Sequence, residues 1–377
     1  MDLDHIRREF ADFRGWLYFN AARQGPLPER SRRAAERAVA AFSRPAEFDD
    51  DERFSGDARV RTGFARLTGA HPSEIAIGTG TGFGLGLAAT CLPQPGDEVL
   101  IGPSEYLTLP TSFVTAAKQH EFSVRRMSPA VPFFSVEDVE AALTPRTRVV
   151  ALSAVSYDRG YRADLEAIGE LCRRRDLYFV VDACQAAGSV PLDVSRLNVD
   201  VLATGAYKWL LSPYGTGLAY FSERARAHMV SPTPSNHSVE AYEWPQLELA
   251  EEARGLDVPQ APTPMLMWPL AESLELILEV TVERVHQHAI DLADRLLEQL
   301  PKGAEPRSCL DPGRRSAIFA FDLPSVETAA RVRRGLMAER IHLTHRERHL
   351  RFSPHLYNSE ADVDRLGAAL RELLRGA

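Results

Sequence analysis

The stretch that most constrains this chain runs from about Asp97 to Ser222, where short apolar runs alternate with helical patterns. The runs are Glu98-Val99-Leu100-Ile101, Arg148-Val149-Val150-Ala151-Leu152, Tyr178-Phe179-Val180-Val181, Asp200-Val201-Leu202-Ala203 and Gly217-Leu218-Ala219-Tyr220-Phe221. Strands this continuously apolar are buried on both faces, and helices between them supply the cover. The pattern predicts an α/β fold with a mainly parallel sheet sandwiched by helices. Ligands of such open sheets bind beyond the carboxyl ends of the strands.

The connecting helices carry readable signals. Ser135-Val136-Glu137-Asp138 has the form of a capped helix start. Leu165, Ile168, Leu171 and Cys172 recur at helical spacing before Arg173-Arg174-Arg175 adds positive charge at the end. Between Pro232 and Pro264 periodicity disappears, which predicts an irregular connection at a subunit contact. Leu274, Ile277, Leu278, Val285, Leu292 and Leu296 then mark one long amphipathic helix bridging two domains. Strand-like Ala317 to Phe321 and Leu350 to Ser353, with helices between, predict a smaller α+β domain. The expected division is an N-terminal segment 1–15, a large domain 16–265, and a linking helix with the small C-terminal domain over 266–377.

With 377 residues, 45% of them hydrophobic, the chain buries a sizeable core. Its 44 basic and 52 acidic residues give a net charge of -8 without a dense basic tract, which argues against nucleic acid or an anionic membrane as partner. No run approaches the roughly 18 apolar residues of a membrane span, and the first ten residues are too charged for a signal peptide. A cytoplasmic location follows as the expectation. Cys91, Cys172, Cys184 and Cys309 show no metal-type spacing and are expected as reduced thiols.

Two strand ends carry the chemistry. Val180-Val181-Asp182-Ala183-Cys184-Gln185 ends an apolar run in a carboxylate, and Gly205-Ala206-Tyr207-Lys208-Trp209 places a lysine after the next. Pyridoxal phosphate chemistry needs this pair: an amine to form a Schiff base with the aldehyde, and a carboxylate to keep the ring nitrogen protonated. Upstream, Gly78-Thr79-Gly80-Thr81-Gly82-Phe83-Gly84 follows strand-like Glu74-Ile75-Ala76-Ile77 and enters a small-residue helix. Bare N–H groups and a threonine hydroxyl at a helix N-terminus suit a phosphate. GxGxxG fails in every register and no Gly-Lys-Ser/Thr follows, so dinucleotide and P-loop readings are weak. Tight helix packing alone is the competing explanation of these glycines.

From Tyr18-Phe19-Asn20-Ala21-Ala22 to Arg351-Phe352-Ser353-Pro354-His355, the chain resembles the class V aminotransferase branch of the fold-type I pyridoxal 5'-phosphate enzymes. That branch includes cysteine desulfurases, kynureninases and isopenicillin N epimerase-like proteins. The resemblance implies that Lys208 is the Schiff-base lysine, Asp182 the partner of the pyridine nitrogen and Gln185 a neighbour of the ring hydroxyl. It further implies that Thr81, the Gly82 backbone and Tyr207 hold the phosphate, that Tyr106 stacks on the ring, and that Thr263 reaches the phosphate of a second subunit in a homodimer. Arg351 is implied as the clamp on the substrate carboxylate, a role suited to a planar guanidinium. Asn20 and Arg23, in the early Asn-Ala-Ala-Arg-Gln-Gly-Pro turn, are weaker substrate-binding candidates.

The chain also departs from that pattern. Desulfurases keep a nucleophilic cysteine on a loop before the clamp segment; here Ile341-His342-Leu343-Thr344-His345-Arg346-Glu347-Arg348-His349-Leu350 has none. Cys184 is expected as an apolar filler pointing into the core. Three histidines spaced along a hairpin scatter over both faces, so no metal is expected and one histidine near substrate is. Tyr157 replaces an asparagine common in relatives and becomes a further substrate-site candidate. These features point to an enzyme acting on an amino acid, leading with a lyase-type elimination or side-chain cleavage such as that of a cysteine conjugate. Transamination and epimerisation are the alternatives, and a degenerate ligand-binding homologue is the non-enzymatic one.

Overall fold

The computed structural model describes residues 3–10, 13–47, 49–234, 238–243, 245–259 and 263–375. In chain order its strands are β1 Leu17–Tyr18, β2 Ile75–Gly78, β3 Glu98–Ile101, β4 Ser123–Arg126, β5 Thr147–Ser153, β6 Tyr178–Asp182, β7 Val201–Gly205, β8 Gly217–Phe221, β9 Val239–Glu243 and β10 Gln246–Leu249. They continue as β11 Glu305–Pro306, β12 Phe319–Asp322, β13 Ile341–His342, β14 Thr344–Arg346 and β15 His349–Phe352.

A seven-stranded sheet in the order β2-β8-β7-β6-β5-β3-β4 forms the centre. Neighbouring strands from β7 to β4 are parallel, and only β8 runs against both of its neighbours. Because strand side chains alternate in direction, the apolar runs feed two cores. Ile75, Ile77, Val150, Phe179, Val181 and Leu202 join one, while Ala76, Val149, Val180, Val201, Ala203 and Phe221 join the other. This double burial explains why the sequence runs lack polar alternation. Truncating a fully buried member such as Phe179 costs about 3–5 kcal/mol.

The helix Thr81–Cys91 lies across β7 and β8, and its small residues set the distance. A Cβ on Gly84 would come 2.8 Å from the Cβ atoms of both Ala203 and Ala219. Helix packing therefore does account for part of the glycine run, as the competing explanation held. The predicted helix start at Ser135 forms a full capping box with Asp138, and Leu165–Arg174 is helical.

The second sheet, β11-β12-β15-β14, is antiparallel. Phe319, Phe321, Phe352, Leu366 and Leu370 pack beneath it with the helices Val326–Ala338 and Glu360–Leu374. Phe19 belongs to the same core, and β1 pairs in parallel with β13, joining Leu17 to Ile341 and Tyr18 to His342. The early segment is thus threaded through the smaller layer before it reaches the site.

Two expectations change. The predicted long helix is two helices, Pro264–Val280 and Val282–Glu298, broken at Thr281, whose φ of 75° takes the backbone out of the helical region. The connection after Pro232 contains the antiparallel hairpin β9–β10, whose Tyr242, Leu247 and Leu249 are exposed. Among the described residues no helix is long and apolar enough to cross a membrane.

Candidate active site

Five strand ends converge at one edge of the large sheet. Gly80 and Thr81 follow β2, Glu105 and Tyr106 follow β3, Ser153 ends β5 and leads to Tyr157, Asp182 ends β6 and leads to Gln185, and Lys208 follows β7. The sequence holds three lysines. Lys118 and Lys302 are exposed, while Lys208 is only 8% exposed. Its Nζ lies 5.7 Å from the centre of the Tyr106 ring and 5.5 Å from that of Tyr207. A lysine seldom goes inside without a task.

The loop carrying Lys208 is held from below. Trp209 Nε1 donates to Gln185 Oε1 at 2.8 Å, and Gln185 Nε2 donates to the Ala22 carbonyl at 3.0 Å. Gly25 N donates to the Tyr207 carbonyl at 2.9 Å. These bonds tie the early turn, the end of β6 and the lysine loop together, and buried amide groups left unpaired would cost about 1–3 kcal/mol each.

A small inner cavity is lined by Thr81, Asp182, Cys184, Gln185, Tyr207 and Lys208, among others. Asp182 is buried, and its Oδ1 accepts from the Cys184 N–H at 2.8 Å. Burial raises its pKa, partly offset by that N–H and by Lys208. A cationic ring N–H beside it would offset the same cost, so the carboxylate fits a pyridinium partner. At the other end, a Cβ on Gly205 would lie 2.8 Å from the Tyr207 ring and 3.3 Å from Thr81 Oγ1. The bare glycine leaves open the space between a helix-terminal hydroxyl and a phenol where a phosphate would sit. Gly82 lies in the first turn of the same helix, its Cα facing Thr108. Cys184 is a correction: it faces this cavity rather than the core.

The outer cavity, ≈ 340 Å³, shares Tyr106, Tyr157, Gln185, Tyr207 and Lys208 with the inner one and adds Arg23, Asp158, Tyr214, Thr344, Arg346, His349 and Arg351 to its wall. Arg351 is 8% exposed. One guanidinium nitrogen donates to the Tyr157 carbonyl and another to Thr344 Oγ1 at 3.3 Å, while its Nε is buried without a partner. Burial, then the field of Arg346, pulls its pKa down to about 10. An anion entering the cavity would relieve both.

Tyr157 meets Tyr106 edge-on, with ring centres 5.4 Å apart. Asn20 is placed differently from the substrate role expected of it. Its side chain accepts from the Thr344 hydroxyl at 2.6 Å, and it lines a neighbouring cavity behind Thr344 rather than the outer one. Thr263 caps the helix Pro264–Val280 without a side-chain bond to it and lines neither cavity of its own chain; Pro262 lies outside the described residues. Of the hairpin histidines, His349 faces the outer cavity and His342 and His345 the neighbouring one.

Sequence reasoning missed Glu105, Ser153, Tyr214 and Arg346. Glu105 is half-buried, accepts from the Ser153 N–H at 3.1 Å and from its hydroxyl, and is pushed up to about 7, mainly by desolvation. Tyr214 stacks on Tyr207 with centres 4.2 Å apart. The signal for Glu105 was its position directly before Tyr106 at a strand end; Arg346 and Tyr214 had none.

The chain is 31% identical to isopenicillin N epimerase of Amycolatopsis lactamdurans over 339 residues, 83% of this chain and 84% of that protein. It is 28% identical to the cysteine desulfurase IscS of Vibrio vulnificus, over 63% of this chain and 56% of that one. Among solved structures, a C-DES mutant with glycine covalently linked to its pyridoxal phosphate cofactor superimposes with a TM-score of 0.89 at 22% identity, covering 97% of this chain and 99% of that one. The cystine C-S lyase C-DES bound to cysteine persulfide gives 0.86 at 23%, covering 95% and 97%. The aminotransferase class-V family model matches residues 55–366, and with it the chain belongs to the class V aminotransferase family of pyridoxal phosphate enzymes.

Proposed function

We propose that this enzyme is a lyase that cleaves the side chain of an amino acid, with the C–S bond of a cysteine conjugate as the model case. Held by Lys208, pyridoxal phosphate supplies an electron sink for negative charge at the α carbon of the amino acid. The protein supplies the rest. Asp182 would keep a proton on the ring nitrogen, Gln185 would stand by the ring hydroxyl, and Tyr106 would cover a ring face. Thr81, the Gly82 backbone and Tyr207 would hold the phosphate, joined by Thr263 from the second protomer of a homodimer. The exposed apolar residues of β9 and β10 and of Met265 support such a pairing.

Arg351 orients the substrate through its α-carboxylate, with Tyr157 alongside. Once the substrate's amine has taken its place, Lys208 Nζ is free to accept the α proton; the C–S bond breaks with its electron pair leaving on sulfur, and one water hydrolyses the released aminoacrylate to pyruvate and ammonia. The observation that carries the lyase reading is the hairpin over the site. β14 and β15 pair from Thr344↔Arg351 to Arg346↔His349, leaving a two-residue turn without a cysteine. No thiol on this hairpin is placed to accept sulfur from substrate, so sulfur leaves to solvent.

Epimerisation is the second reading, favoured by the 31% identity to isopenicillin N epimerase. Incubation of the holoenzyme with an amino-acid panel in deuterated water, with and without a keto acid, separates the possibilities. The lyase reading predicts pyruvate and ammonia in equal amounts without an acceptor. Formation of the D-isomer with α-deuterium and no ammonia would replace it by the epimerase reading; turnover only with a keto acid would replace it by transamination.

A further inference from the structure

The outer cavity carries more positive charge than an ordinary amino acid neutralises. Apart from Lys208, its wall holds the guanidiniums of Arg23, Arg346 and Arg351 against one carboxylate, Asp158. Asp158 is already shared with Arg159 at 3.7 Å and Arg307 at 3.9 Å. Among the described residues none of the three cavity arginines ion-pairs with a carboxylate. Counting Asp158 wholly toward the cavity and adding one α-carboxylate still leaves one of three guanidiniums without a contacting anion, since the cofactor phosphate would lie at the Thr81 end of the inner cavity, which none of the three arginines lines. Clustered cations in a partly closed site repel one another unless an anion arrives.

Arg346 is also turned toward the cavity. Its Nη1 donates to the Tyr157 hydroxyl at 3.3 Å, and its guanidinium carbon lies 5.6 Å from the centre of the Tyr157 ring. Arg346 is exposed to solvent, and this cation–π contact and hydrogen bond hold its guanidinium over Tyr157, at the cavity wall. Arg23 reaches the same cavity from the other side, on the turn that Gln185 and Gly25 fix beside the lysine loop. Arg23 and Arg346 are both exposed, whereas Arg351 is buried in the same wall.

We propose that Arg346 and Arg23 form a subsite for a second anionic group on the substrate, so that the preferred amino acid carries a side chain ending in a carboxylate or an equivalent acid. This rests on the cavity being an amino-acid site, with Arg351 taking the α-carboxylate. Two parallel hydrogen bonds from a guanidinium to a carboxylate discriminate an acid from its amide, which offers one acceptor and presents an N–H group to the cation.

S-carboxymethyl-L-cysteine and its amide, S-carbamoylmethyl-L-cysteine, are matched in shape and differ in that charge. Mixing each rapidly with the holoenzyme and following the first change in the visible absorbance of the cofactor, before pyruvate appears, gives two dissociation constants. The acid binds tighter than the amide by roughly tenfold or more. In the Arg346→Gln, Arg23→Gln double variant the ratio falls toward one, and Arg346→Lys with Arg23 intact restores part of it. Equal binding of acid and amide to the wild type, or a preference that survives the double substitution, overturns the subsite while leaving the lyase reading intact. Failure of both analogues to perturb the absorbance removes the amino-acid reading itself, and the subsite falls with it.

Discussion

Acid should loosen the support of the lysine loop through one residue. His355 is fully buried, with its ring stacked on Trp209 at 5.7 Å and on Tyr357 at 5.8 Å. Its Nε2 donates to the Trp209 carbonyl at 3.2 Å, and its Nδ1 accepts from the Leu356 N–H at 2.8 Å. Only a neutral imidazole satisfies both bonds, and burial pulls the pKa from 6.5 down to about 4. The unfolded chain takes up this proton near pH 6.5, the folded one near pH 4. Between those values the unfolded state holds the extra proton, so stability falls as pH falls. A shift of this size is worth about 3 kcal/mol across the window, at up to about 1.4 kcal/mol per pH unit.

Urea midpoints of the wild type and of His355→Phe, taken from pH 7 to pH 4.5, isolate the effect. The variant leaves the Trp209 carbonyl and the Leu356 N–H unpaired, so it is less stable at pH 7 by roughly 1–3 kcal/mol. Its stability then declines less steeply with acid. His286, also pulled down mainly by burial, titrates in both proteins and cancels in the difference, while the field of His288 on His355 is a minor contribution beside burial. Equal slopes in the two proteins, or a direct NMR titration of His355 near pH 6.5, would refute the reasoning.

Glu105 works in the opposite direction. Its carboxyl is pushed from 4.5 up to about 7, so the folded chain keeps a proton that the unfolded chain loses, and this contribution to stability fades as pH rises from about 4.5 to 7. Glu105→Gln should abolish that loss, about 3 kcal/mol by urea midpoints compared at pH 5 and pH 8. Gly205→Ala pushes a methyl into the gap between Tyr207 and Thr81; faster loss of cofactor on dialysis with an unchanged far-ultraviolet spectrum is expected, and retention equal to wild type would count against a phosphate there. Asp182→Asn can still accept from the Cys184 N–H, so the fold should persist while turnover drops about a hundredfold or more, measured as kcat at saturating cofactor.

The large sheet was legible because its strands are apolar through both faces. β3, β5, β6 and β8 fall within a residue or two of the runs that announced them, and the strand-end rule then located Asp182 and Lys208. β4, with Ser123 and Arg126 exposed, sits at the sheet edge and carries no apolar run to read. The β1–β13 pairing joins Leu17 to Ile341, a contact across most of the chain that two-residue strands cannot signal. The break at Thr281 was hidden because heptad-like apolar spacing continues across it. In the site, Lys208 and Asp182 were readable as types at strand ends, whereas Gln185 and Arg351, the latter inside β15, were legible only through the family resemblance. Arg346 looked like one of several hairpin charges, and its direction is set by Tyr157, nearly two hundred residues away. Asn20, a weaker substrate-binding candidate from its turn, has its side chain bonded to Thr344 behind the outer cavity.

The central claim is that Lys208 carries the cofactor. Borohydride reduction of the holoenzyme followed by peptide mass spectrometry tests it directly, since the chain offers three lysines to choose from. The account predicts a phosphopyridoxyl group on the peptide containing Lys208 and loss of the visible absorbance in Lys208→Ala; a modification on Lys118 or Lys302, or none at all, would contradict it.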